Sequence, residues 1–151
     1  MTARTLMRSS LVKLRTTDTV AAAAQVLLQH HLRHLPVVDE QGRYAGTFGI
    51  YSVLQLTLPT AVLMREGLDN VAFITETAHD LSQRLRERGQ EPVSQWLSRD
   101  PVVHPDTPAM KIVQMMLHRH TSIPVVDRNN HHLEGMISSS DVLRTLLEES
   151  H

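Results

Sequence analysis

Residues 32–39 read Leu-Arg-His-Leu-Pro-Val-Val-Asp, and residues 120–127 read His-Thr-Ser-Ile-Pro-Val-Val-Asp. Pro36, Val37, Val38 and Asp39 recur as Pro124, Val125, Val126 and Asp127, an offset of 124 − 36 = 88. A run repeated once, with similar neighbours on both sides, constrains the chain to be built twice. Function is then to be sought in what the two copies make together.

The totals fit that reading. A chain of 151 residues suits one compact domain or two half-domains sharing one core, and 41% hydrophobic residues suffice to form it. Fifteen Lys plus Arg face sixteen Asp plus Glu, so the whole-chain charge gives no support for nucleic-acid binding. The absence of Cys excludes disulfides and thiol nucleophiles. Residues 1–10 lack the apolar run of a signal peptide, and no stretch approaches the ~20 apolar residues that span a bilayer. A cytoplasmic protein without membrane insertion is expected.

In the first copy, residues 11–14 predict a short strand, with Asp18 or Thr19 as N-cap of the helix that follows. Val20, Ala23, Ala24, Leu27 and Leu28 form one face of that helix. It should stop near residues 31–33, because a residue before Pro disfavours helix. Residues 35–38 predict a buried strand, residues 39–42 a turn, residues 44–50 an antiparallel strand and residues 51–58 a helix. The second copy repeats this order. Val102-Val103 is its short strand, Thr107 its cap and Pro108 its first helical residue. Residues 123–126 and 133–138 are its paired strands, and residues 140–147 its closing helix. Gly46 matches Gly135 at offset 89, so the second hairpin loop is one residue longer. Between the copies, a helix is predicted from Pro59 to Gly67, an apolar stretch at residues 71–74, and a helix over 77–88 capped by Thr77. Each copy of about 50 residues buries too little surface alone, so copy should pack on copy about a pseudo-two-fold axis.

The chemistry concentrates in Gly135-Met136-Ile137-Ser138-Ser139-Ser140-Asp141, a strand that runs through hydroxyl residues into a helix. Ser138 is placed to cap that helix. The N–H groups of Ser139, Ser140 and Asp141 would then converge as a phosphate site. Asp141 is placed to accept hydrogen bonds from a ribose diol, as acidic residues do in dinucleotide folds. The plain structural alternative is that Ser138 only caps and Asp141 only complements the helix dipole.

The order of elements, the doubled Leu/Ile-Pro-Val-Val-Asp and the Gly-x-x-Ser-x-x-Asp run together resemble a pair of cystathionine-β-synthase (CBS) domains, a Bateman module. The likeness covers residues 5–58 and 93–148, with 59–92 as a helical connector outside it. It implies an α/β fold of tandem β-α-β-β-α repeats and a regulatory module that binds adenosine nucleotides or related adenosyl ligands without catalysis. The family signature is a hydrophobic residue, any residue, Ser or Thr, two residues and Asp. Residues 136–141 match it completely.

By that resemblance Asp141 holds the ribose hydroxyls, while Ser138 and Ser140 meet ribose or phosphate beside Ser139. The base pocket comes from the other copy: Leu32, Arg33, His34 and Leu35, together with Leu11, Val12 and Met7. His34 would stack on the base or approach a phosphate, and Thr121 and Ser122 would reach the phosphates. The first copy departs from the signature, with Gly49 in place of Ser or Thr and Ser52 in place of Asp. One intact site per chain is therefore expected, not two.

AMP, ADP, ATP, S-adenosylmethionine and cyclic dinucleotides all remain open as ligand. The resemblance further implies a homodimer that reports to a protein effector, the alternative being a dimerisation scaffold without ligand. Metal binding by His30, His31 and His34 or by His118 and His120 is disfavoured. No Glu completes a metalloprotease pattern, and polar residues suit helix C-termini.

Overall fold

The computed structural model describes residues 1–59 and 77–149. The elements in order are α1 (Ala3–Leu6), β1 (Leu14–Arg15), α2 (Val20–Gln29), β2 (His34–Val38), β3 (Tyr44–Gly49), α3 (Ile50–Gln55), α4 (Ala78–Arg88), a 3-10 turn (Val93–Trp96), α5 (Ala109–Arg119), β4 (Ile123–Val126), β5 (Leu133–Ile137) and α6 (Ser139–Glu149). The connector expectations from residue 60 to residue 76 lie outside the described residues. Among the described residues no helix is long and apolar enough to cross a membrane.

The repeat is copied down to its irregularities. β2 pairs antiparallel with β3 and β4 with β5, and each ladder shifts register at the same place, between Val37 and Val38 and between Val125 and Val126. β1 runs parallel to β2, with Leu14 opposite Val37. In the second copy that strand shrinks to one parallel bridge, Val103 to Val125, so the expected Val102-Val103 strand is reduced to a contact. α2 and α5 both end beside a left-handed His, His31 with φ 54° and His120 with φ 56°. These are equivalent positions, 120 − 31 = 89. Left-handed backbone is uncommon outside Gly, and His is among the residues that tolerate it better. Thr19, not Asp18, caps α2: its hydroxyl accepts from Ala22 N at 3.1 Å. Thr107 does not cap α5. Its hydroxyl accepts from His104 N at 3.0 Å in the preceding turn, and Pro108 occupies the N-cap position.

The expectation of one shared core is corrected. The apolar interior divides into two clusters, one per repeat. The first holds Leu14, Val20, Leu27, Leu35, Phe48 and Leu56, and the second Val103, Ile112, Met116, Ile123 and Ile137. Burying side chains of this size stabilises by ~1.5–3 kcal/mol each, so each cluster is a substantial core.

What joins the copies is an exchange of leaders. Ala3 and Leu6 of α1, at the leading end of the first repeat before β1, pack in the second core, whereas Val93, at the leading end of the second repeat before Val103, packs in the first. Arg8 and Met136 exchange two backbone hydrogen bonds of 2.9 and 3.0 Å, and Ser98 and Thr47 exchange two of 2.8 and 2.9 Å. The equivalent glycines permit this close approach. A β-carbon at Gly135 would lie 2.7 Å from Arg8 O, and one at Gly46 would lie 2.9 Å from Ser98 O.

The hairpin turns also meet reciprocally. Tyr44 N donates to His131 O at 3.0 Å, and Leu133 N donates to Gly42 O at 3.1 Å. Both residues are related by the same step, 133 − 44 = 131 − 42 = 89. Reciprocity of this kind is what a two-fold relation between like units requires.

Candidate functional site

The end of β5 and the start of α6 build one wall of the site. Ser138 and Asp141 form a reciprocal cap. Asp141 N donates to Ser138 Oγ at 3.1 Å, while Ser138 N and Oγ donate to Asp141 Oδ2 at 2.9 and 2.8 Å. This is the short-side-chain form of the capping box, with Asp three residues after Ser. Arg8 Nε, brought from the opposite leader, donates to the same Oδ2 at 2.9 Å, and Arg144 Nη1 reaches Oδ1 at 3.3 Å. Asp141 is only 4% exposed. Burial by itself would push its carboxyl up, but the Ser138 amide and hydroxyl and the Arg8 guanidinium outweigh it and hold the pKa below 3.8. The carboxylate is charged at neutral pH and already has donors. The Arg8 side chain is 53% exposed and the Asp141 side chain only 5%, so Arg8 can swing away at little cost to itself, but the buried carboxylate then needs another donor in its place.

Beside this wall lies a cleft of about 600 Å³ between the copies. Of the residues singled out from sequence, Leu11, Val12, Leu32, Arg33 and His34 reach it from the first copy, and Ser122, Ser138 and Ser140 from the second. A smaller cavity of about 280 Å³ shares His34, Ser122 and Ser138 with it, and Thr121 and Ser139 line that one.

Three residues lie elsewhere. Leu35 faces the first core, opposite Phe48, because side chains alternate along a strand and His34 and Pro36 take the cleft side. Met7 packs against the second core beneath Gly135. Asp141 sits behind Ser138 and Arg8 and lines neither cavity.

Several lining residues were not singled out as ligand contacts: Arg8, Ser10, His30, His31, Pro36 and Met136. Strand alternation signals Pro36 once His34 is placed. Arg8 has no local signal, because its position follows from the leader exchange. His34 is half-buried. Burial lowers its pKa below 6.5, Asp100 opposes that and Arg33 adds to it, so the imidazole is neutral at pH 7. Among the described residues no group of three or more His, Asp or Glu is gathered to hold a metal ion.

The equivalent corner in the first copy is built differently. The step between copies is 89 at His31 and His120 but 88 at Pro36 and Pro124, so the first copy has one more residue before its Pro. That residue lengthens the ladder by one pair, His34 to Gly49. The Arg33 carbonyl then accepts from Ile50 N at 2.8 Å, at the first residue of α3. A β-carbon at Gly49 would lie 2.8 Å from that same oxygen. A Ser matching Ser138 therefore has no room there. Among the described residues no such carbonyl caps Ser139 N, the equivalent amide of α6.

Known proteins place this pair of repeats. A CBS domain profile matches residues 3–57 and 93–148. No curated protein sequence matches the chain. Among solved structures, the CBS-pair protein CBSX2 from Arabidopsis thaliana is similar at 21% identity and TM-score 0.76, covering 99% of this chain and 96% of that one. CBSX2 in complex with AMP is similar at 21% identity and TM-score 0.72, covering 99% and 98%. The CBS domain pair of protein MJ0100, in complex with 5′-methylthioadenosine and S-adenosyl-L-methionine, is similar at 18% identity and TM-score 0.63, covering 100% and 98%. With both repeats matched in sequence and the same pair built in the fold, the chain belongs to the CBS domain family.

Proposed function

We propose that this CBS pair is a regulatory module without catalysis. It binds one adenosine nucleotide or related adenosyl ligand per chain in the cleft between the repeats. Asp141 takes the ribose, Ser138, Ser139 and Ser140 the ribose or phosphate, and Leu11, Val12, Leu32 and His34 enclose the base. Arg33, Thr121 and Ser122 lie toward the phosphates. The observation that carries this reading is the complete signature at residues 136–141, whose Met136, Ser138 and Ser140 stand on the wall of a cleft about 600 Å³ in volume with Asp141 just behind it, within the range of small-molecule sites. The AMP-bound and S-adenosyl-L-methionine-bound relatives support the ligand class.

Occupation of a cleft between two separately cored repeats shifts their packing, which is the signal passed to a protein effector. Exposed Tyr51 and Leu54 on α3 and Leu143 and Leu146 on α6 support pairing of two modules into a homodimer. Leu54 and Leu143 are equivalent, 143 − 54 = 89. Sedimentation that gives only monomer at micromolar concentration removes the dimer from this reading.

The scaffold alternative draws on one observation, that the Asp141 carboxylate already has donors from Ser138, Arg8 and Arg144. A thermal-shift screen with AMP, ADP, ATP, adenosine and S-adenosylmethionine separates the two. A shift that grows with ligand concentration supports sensing. No shift with any of them, and no adenosyl compound found by mass spectrometry of the purified protein, leaves the scaffold.

A further inference from the structure

The ionisable residues on the wall of the main cleft are Arg8, His30, His31, Arg33 and His34; no Asp or Glu lines it among the described residues. The carboxylate that would hold a ribose, Asp141, stands behind this wall with Arg8 bound to its Oδ2. That oxygen already accepts three hydrogen bonds, two from Ser138 and one from Arg8. Three donors already crowd that oxygen, so a diol that bridges both carboxylate oxygens has to take the place of one of them. The Ser138 bonds belong to the helix cap. Arg8 is the donor that can leave: its backbone is fixed by the pair of hydrogen bonds to Met136, but its side chain is half exposed and reaches the cleft.

We propose that Arg8 is the specificity-determining residue of the cleft. Its guanidinium moves from Asp141 to a ligand phosphate as the ribose diol takes its place on the carboxylate. The inference rests on the adenosyl-ligand reading above and narrows it. A phosphorylated adenosine supplies Arg8 with a new anionic partner, for which a planar guanidinium is well suited. Unphosphorylated adenosine leaves the displaced cation without one. The sulfonium of S-adenosylmethionine brings a like charge to a wall bearing Arg8 and Arg33. The leader residue thus links the ligand's charge state to the contact that holds residues 1–8 against the second repeat.

The test is calorimetric titration of the full chain and of Arg8→Ala and Arg8→Lys with adenosine, AMP, ATP and S-adenosylmethionine. The wild type should bind AMP at least about tenfold tighter than adenosine, the equivalent of one charge-assisted hydrogen bond, and should disfavour S-adenosylmethionine. In Arg8→Ala the AMP-to-adenosine preference should collapse while adenosine affinity holds or rises, because Asp141 has been released. Arg8→Lys should keep part of the preference. The ratio is taken within each variant, so a partial loss of folded protein does not mimic it. Equal weakening of adenosine and AMP in Arg8→Ala, no change in either, or tighter binding of S-adenosylmethionine than of AMP to the wild type overturns the assignment of Arg8 and leaves the cleft's function standing. A wild type that binds none of the four overturns the adenosyl-ligand reading itself, and this inference with it.

Discussion

The two strand-to-helix corners, Gly49–Ile50 in the first repeat and Ser138–Ser139 in the second, occupy equivalent places and do different things. At the second, a Ser and an Asp three residues apart cap α6 and keep a charged carboxylate under the wall of a cleft. At the first, a backbone carbonyl from Arg33 accepts from the first amide of α3, the Ser52 hydroxyl accepts from Gly49 N at 3.4 Å, and no side chain fits at position 49 itself. The difference goes back to one extra residue between His31 and Pro36. It extends β2 by a rung and carries the chain across the end of α3. The same extra length places Arg33 and His34 where they line the other repeat's cleft. Closing one corner and furnishing the wall of the other are thus two consequences of one local change.

Three perturbations test this contrast, from the largest effect to the smallest. Asp141→Ala should weaken AMP binding on the order of tenfold to hundredfold, since charge-assisted bonds to a diol are worth ~1.5–3 kcal/mol each. Its stability should fall only ~1–2 kcal/mol, because Ser138 can still accept from the helix amide. Undiminished affinity, read by titration, would place the ribose elsewhere. The paired change Gly49→Ser with Ser52→Asp restores the family signature in the first copy. It should cost ~1–3 kcal/mol in urea unfolding, as overpacking does, and create no second ligand site, because the Arg33 carbonyl holds the corner. A second equivalent site in that variant would mean that the two side chains alone set the asymmetry.

The smallest effect is acid sensitivity. The Asp141 pKa is lower in the folded chain, so its stabilisation is present above pH 3.8 and is lost as pH falls through the folded value. The urea midpoint should therefore drop more steeply below about pH 4 in the wild type than in Asp141→Asn, where this titration is gone. Ser52 at the first corner has no such group, and Asp39 and Asp127 are matched between the copies, both lowered by backbone hydrogen bonds. Identical slopes would show that the Asp141 cage contributes nothing.

Much of this was legible in the residues. The doubled Pro-Val-Val-Asp gave the repeat, and apolar periodicity placed α2, α5 and both hairpins within a few residues. Thr77 announced its own helix, accepting from Asp80 N at 3.3 Å. The Ser138-to-Asp141 spacing gave the cap and the candidate anchor. What stayed hidden is non-local. Nothing near Arg8 says that it lies against Met136, 128 residues away (136 − 8), although paired Gly46 and Gly135 marked strands that something approaches closely. The family resemblance puts Leu35 in the pocket, but the alternation of its own strand sends it to the core with Val37. The longer second hairpin was visible at Gly135. The compensating extra residue before Pro36 was equally visible in the offsets, but its effect on α3 required the backbone path.

Stoichiometry tests the central claim of unequal corners most directly. Isothermal titration of the full chain with AMP, ADP and ATP should give one ligand per chain, bound at the second repeat's corner and weakened on the order of tenfold to hundredfold in Asp141→Ala. Two equally tight ligands per chain would contradict the account.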